Sequence, residues 1–108
     1  MSGGGGGGGI DIPPVGDGVD CESLHEETTL NSANPAVVKT LREGDILTLQ
    51  AQTPRGPLVA FTANSQEVGS ITSALLARIL TCIEQGNEYV AEVIKVRGGQ
   101  VNVEVRHR

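Results

Sequence analysis

The sequence predicts a small α+β domain, mostly β. It reads as a curved sheet or barrel of about five or six mainly antiparallel strands, with one principal helix (about 72–85) inserted before a C-terminal hairpin. Three stretches carry this reading. Leu75, Leu76, Ile79, Leu80 and Ile83 recur at helical spacing and form one apolar stripe. Val101, Val103 and Val105 alternate with Asn102, Glu104 and Arg106, as in a strand with one buried and one solvated face. Gly98-Gly99 separates that run from Tyr89–Val96 and supplies a hairpin turn. The stretch Glu67 to Val105 is therefore the organising unit.

Composition sets the limits. A chain of 108 residues has room for one domain. Gly3 to Gly9 is an unbroken glycine run, so residues 1–20 read as a disordered, Gly-rich acidic tail. Residues 21–108 read as a single compact β-rich domain. Phe61 and Tyr89 are the only aromatics, so the core must come from Val, Ile, Leu and Ala. The net charge of -5 lies entirely within residues 1–43, and residues 44–108 are balanced. No whole-chain basic footprint for nucleic acid exists. No apolar run approaches the ~18 residues of a membrane span, and no signal-peptide pattern opens the chain. Cys21 and Cys82 are too few for a disulfide framework or a four-thiolate zinc site. They read as reduced thiols of a cytoplasmic protein, with Cys82 a small buried residue on the helix.

The elements follow in order. The glycine run lacks the flanking strand, helix and lysine of a phosphate loop. It reads either as a tether or as an arm whose Ile10-Asp11-Ile12-Pro13-Pro14 segment docks on a partner. Cys21 to Leu30 is a first strand with poor alternation. Asn31 to Pro35 is a turn, with Asn34 an N-cap and Pro35 the first residue of a short helix. Gly44 suits a left-handed cap at that helix's end. Leu47, Leu49 and Ala51 face the core from a second strand. Pro54-Arg55-Gly56-Pro57 turns the chain into the apolar strand Leu58–Thr62. Glu67–Ile71 is a further short strand, with Gly69 marking a bulge or a close backbone approach. Thr72 or Ser73 caps the helix, and Gly86 closes it. Tyr89, Ala91, Val93 and Lys95 then alternate with Val90, Glu92, Ile94 and Val96.

Few patterns carry chemistry. Cys21 and His25 lie four apart on a weak strand, where that spacing does not converge on a metal, and His107 reads as a frayed terminal residue. Neither His sits near a Gly-x-Ser-x-Gly elbow. Glu26-Glu27, Asp45, Glu84 and Glu88 form no convincing catalytic pair; Asp45 reads as a turn residue. The sequence therefore points away from an enzyme, and no metal or cofactor is expected. The clustered positive charge is Lys95, Arg97, Arg106 and Arg108 in the terminal hairpin, with Arg55 at another hairpin tip. Pairing across Gly98-Gly99 sets Arg97 opposite Gln100 and Lys95 near Asn102. Arg55, Lys95, Arg97 and Arg106 are the candidate binding residues. The cluster reads either as a solvated face or as a nucleic-acid patch without the usual aromatic platforms.

From Leu41 onward the order of features resembles the HIRAN domain, a small β-barrel module found alone in bacteria and fused to helicases in eukaryotes. The resemblance is carried by Gly56-Pro57-Leu58-Val59-Ala60-Phe61, by Glu67-Val68-Gly69-Ser70-Ile71, and by the helix, Gly86 and the last strand pair. It implies binding of single-stranded DNA ends. The chain departs from the family at Ser70, where a bulky residue is common, and in its sparse basic and aromatic residues. Asn34 through Leu41 and Gly44-Asp45 also resemble small uncharacterised bacterial proteins. The expected function is a non-enzymatic binding module engaging a protein partner. The alternative is HIRAN-like binding of single-stranded nucleic acid. No membrane association is expected.

Overall fold

A computed structural model describes residues 20–108; the Gly-rich tail read from the sequence lies almost wholly outside them. A 3-10 turn, Cys21–Ser23, leads into β1 (His25–Thr29). There follow α1 (Pro35–Val38), β2 (Ile46–Ala51), β3 (Leu58–Phe61), β4 (Glu67–Ile71), α2 (Leu76–Glu84), β5 (Tyr89–Arg97) and β6 (Gln100–His107). The six strands among the described residues form one sheet in the order β1-β6-β5-β2-β3-β4, and every neighbouring pair is antiparallel. The α+β, mostly-β architecture expected from the sequence is the one observed.

The sheet curls because its two edges meet. Asn31, two residues past β1, exchanges backbone hydrogen bonds with Ser70 of β4, at 2.8 and 3.0 Å. Asn34 N–H adds a third bond to the Val68 carbonyl at 2.8 Å. Gly69 permits this contact. A Cβ there would stand 2.9 Å from the Asn31 carbonyl oxygen and 3.3 Å from Ala33 Cα. The close approach read at Gly69 is thus the point where the half-barrel is pinned.

Alternation sorts side chains to two faces. Leu47, Ala91 and Val105 align across β2, β5 and β6, and all three are buried on the concave face. Leu58, Ala60, Val68 and Ile71 continue that core, and Ile79, Leu80 and Cys82 of α2 close over it. Val37 and Val38 of α1 fill one end.

Several local expectations are corrected. The strand read from Cys21 begins only at His25, because Asp20 caps a 3-10 turn, accepting from Glu22 N–H at 3.1 Å and Ser23 Oγ at 2.7 Å. Asn34 caps α1 as expected, accepting from Ala36 N–H at 3.0 Å. Gly44 is left-handed, φ 96°, but α1 ends at Val38, so Gly44 shapes the entry to β2 rather than the helix end. There its N–H donates to Val93 O at 2.7 Å. Helix α2 begins at Leu76, later than Thr72 or Ser73, and no side chain caps it. In β5 the register shifts between Val93 and Lys95, leaving Ile94 opposite no residue. That bulge returns Val96 to the side of Val101, while Lys95 moves to the side of Asn102. Simple alternation would have sent Lys95 inward with Val93.

Candidate interaction surface

The convex face of the sheet holds an unusual row. Glu27 of β1 stands opposite Glu104 of β6, Glu104 opposite Glu92 of β5, and Glu92 opposite Ile46 of β2. Three carboxylates thus sit side by side on three adjacent strands, where like charges repel. Arg106 offsets part of this: its Nη1 donates to Glu92 Oε1 at 2.6 Å and approaches Glu104 Oε1 at 3.4 Å. Glu27 has no such cation among the described ion pairs. The row ends on Ile46, which is 46% exposed, and Ile94 at the bulge is 37% exposed. They are the exposed large hydrophobics among the described residues.

The four predicted binding residues do not converge. Lys95 and Arg97 lie at the tip of the β5–β6 hairpin, paired with Asn102 and Gln100 as the sequence suggested. Arg106 lies four residues along β6 from Asn102, roughly 14 Å away, and is committed to Glu92 and Glu104. Arg55 lies at the opposite end of the sheet from the hairpin tip. Thr48 of β2 pairs with Val90, so β2 runs on past the start of β5 into the Arg55 turn. Near that tip, on the face of Val96 rather than that of Lys95 and Arg97, lies Lys39. It lines a cleft of about 350 Å³ at the hairpin tip with Val38, Val96, Gly98 and Gly99. Lys39 carried no signal in sequence, because only the fold brings α1 to that hairpin.

The other end of the sheet is structural. Cys21 and Cys82 form a disulfide, with Cα atoms 5.7 Å apart. This overturns the expectation of two free thiols, and the cytoplasmic placement loses the support it drew from them, since persistent disulfides belong to oxidising surroundings. Tyr89 is buried, and its hydroxyl donates to Cys21 O at 2.5 Å. Burial, reinforced by the negative charge of Asp20, raises its pKa above 10.0. His107 is no frayed terminus. It closes β6 opposite Tyr89, packs edge-on against that ring at 5.3 Å, and places Nε2 2.9 Å from Asn87 Oδ1. Asn87 in turn donates Nδ2–H to Cys82 O at 2.9 Å. The pair Cys21 and Cys82, 61 residues apart in sequence, gave no periodic or motif signal of its own.

The remaining candidates are local. Asp45 accepts from Arg42 N–H at 2.9 Å, the turn role read from sequence. Glu88 meets Arg108 at 3.2 Å on the surface. Glu26 points to the concave side in the row of Val105, and its Oε1 is buried without a hydrogen-bond partner. Among the described residues no three His, Cys, Asp or Glu side chains gather closely enough to hold a metal ion. No described helix is long and apolar enough to cross a membrane.

Fold and surface together define a small curled-sheet domain with a charged, partly apolar convex face. No family model and no curated protein matches the chain. A crystal structure of a protein from Lactobacillus plantarum, a structural genomics target, is similar to it with a TM-score of 0.66 at 16% identity. The match covers 75% of this chain and 89% of that one. At that identity the likeness speaks for the fold.

Proposed function

We propose that the domain is a non-catalytic binding module that engages a protein partner through the convex face of its sheet. The observation that supports this reading is the exposure of Ile46 and Ile94 beside the glutamate row. Covering apolar surface gains about 25 cal/mol per Å², and an apolar centre with a charged surround is the usual anatomy of an interface. The tail, whose Ile10 to Pro14 segment is apolar and acidic, is a second element available to a partner. The disulfide fits work in an oxidising compartment.

The test is capture of partners from the native host by the wild-type chain, by Ile46→Asp and Ile94→Asp variants, and by a chain starting at Asp20. A partner held by the wild type and lost by both isoleucine variants supports the reading. An unchanged set of partners removes the convex face from it.

The HIRAN-like alternative is single-stranded nucleic-acid binding. What favours it is the pair Lys95 and Arg97 on one face of the hairpin tip, with Lys39 beside a cleft on the other face; Arg55 and Arg106 contribute less from where they lie. Fluorescence anisotropy with short oligonucleotides at low and high salt tests it. No binding at low salt, where the phosphate contribution is strongest, eliminates it.

A further inference from the structure

Among the described residues, the outer edge of β1 is open. Leu30 N–H donates to Val101 O at 2.9 Å, so the residues in step with Leu30, namely Thr28 and Glu26, direct their backbone groups at β6. His25, Glu27 and Thr29 direct theirs the other way. Asn31, the next residue in that outward set, finds Ser70 there. Among the described residues, His25, Glu27 and Thr29 find no backbone partner on that side. All three retain some exposure to solvent, His25 and Glu27 the most. Row closure at Asn31 and Ser70 therefore leaves a notch of three outward-facing residues ahead of it.

The notch is electrostatically one-sided. It carries the end of the glutamate row at Glu27, the carboxylate that Arg106 does not reach. Open edges are templates for strand addition. Charge decides what can be added. A second copy pairing edge to edge about Glu27 would set Glu27 against Glu27, which is repulsive. A strand carrying Lys or Arg opposite Glu27 extends the row with the sign it lacks.

We propose that the β1 edge captures an extended, basic segment of a partner protein as an added strand, with a Lys or Arg of that segment placed beside Glu27. This rests on the protein-binding reading and names the partner's chemistry. Backbone hydrogen bonds from His25, Glu27 and Thr29 hold the added strand, and Glu27, at the end of the glutamate row, selects its charge.

The test uses the full chain and short synthetic peptides of alternating Lys and Val, alternating Glu and Val, and the Lys–Val peptide N-methylated at alternate residues in each of the two registers. Residue-resolved amide hydrogen exchange is the readout. The Lys–Val peptide should slow exchange of the His25, Glu27 and Thr29 amides about tenfold or more. The Glu–Val peptide should not, and one N-methylated register should fail. In a Glu27→Lys variant the preference should move toward the Glu–Val peptide. Absence of slowing at these amides with the Lys–Val peptide in excess overturns the proposal, as does equal slowing by both peptides. Binding that perturbs Ile46 and Ile94 but leaves the β1 amides unprotected also overturns it, while leaving the protein-binding reading in place. That reading stands or falls separately, on the isoleucine variants.

Discussion

Asn31 and Ser70 trade two backbone hydrogen bonds, 2.8 and 3.0 Å long, across the seam where the first and last strands of the sheet order meet. The seam depends on bare backbone at Gly69, next to Ser70, because a methyl group there would meet the Asn31 carbonyl at 2.9 Å. Backbone cannot yield as the tip of a flexible side chain can. Gly69→Ala should therefore cost about 1–3 kcal/mol, the range for overpacking. Gly99→Ala, which meets nothing within 4 Å, should be nearly neutral. Urea denaturation of the two variants makes the comparison. Equal stability would mean that the seam is loose in solution.

The Cys21–Cys82 link closes a loop of 61 residues' separation. In the chain-entropy account a loop of that size is worth roughly 4 kcal/mol, and measured values run from about 2 to 5. A Cys21→Ser, Cys82→Ser double variant should lose stability on that scale, measured by urea denaturation without reductant. The wild type in a strong reductant should fall to the same midpoint. A wild type indifferent to reductant would contradict the link.

Arg106 is the cation that the glutamate row depends on. Both partners are more than a third exposed, so each ion pair by itself is worth little. Removing the cation also leaves Glu92 and Glu104 facing each other. Arg106→Gln should cost roughly 1 kcal/mol at low salt. Raised salt should recover part of the loss, as should a second change, Glu104→Gln. Salt-independent destabilisation would point instead to lost packing of the arginine stem.

Tyr89 makes alkaline stability depend on one hydroxyl. Its pKa is raised in the folded state by burial first and by Asp20 second. The folded protein thus holds the phenolic proton more tightly than the unfolded chain does. The resulting stabilisation is complete below pH 10 and is lost as pH climbs through the folded value. Tyr89→Phe should cost about 1 kcal/mol at neutral pH, from the lost bond to Cys21 O. The variant should show a shallower fall in stability above pH 10. Thermal melts of both proteins from neutral pH upward decide it, and parallel curves would exclude the assignment.

Much of the fold was legible because its signals are local. The Val101, Val103, Val105 alternation, the Asn34-Pro35 cap and the stripe of α2 each depend on neighbours a few residues away. What depended on distant segments was not legible. The β5 bulge exists because Val93 and Val96, three apart, both face inward toward Val103 and Val101. Cys21 lies beside Cys82 only by virtue of the tertiary fold, in which α2 packs against the core of the curled sheet. The basic residues illustrate the same limit. Lys95 and Arg97 were placed correctly by the hairpin, whereas Arg106 looked free in sequence and is held by Glu92 from the neighbouring strand. The glutamate row needed a register spanning β1, β6 and β5, which no single stretch encodes.

The covalent link at Cys21 also sets how the domain would answer to being pulled. The chain enters the described domain at Asp20, one residue before the cross-link. Tension applied ahead of Asp20 passes through the sulfur bridge into the body of α2 before it can reach His25. Strand β1, held among the described strands by β6 on one side, would otherwise peel away one hydrogen bond at a time. Oxidised, the domain resists tension applied ahead of Asp20; reduced, the same tension would unzip it from β1.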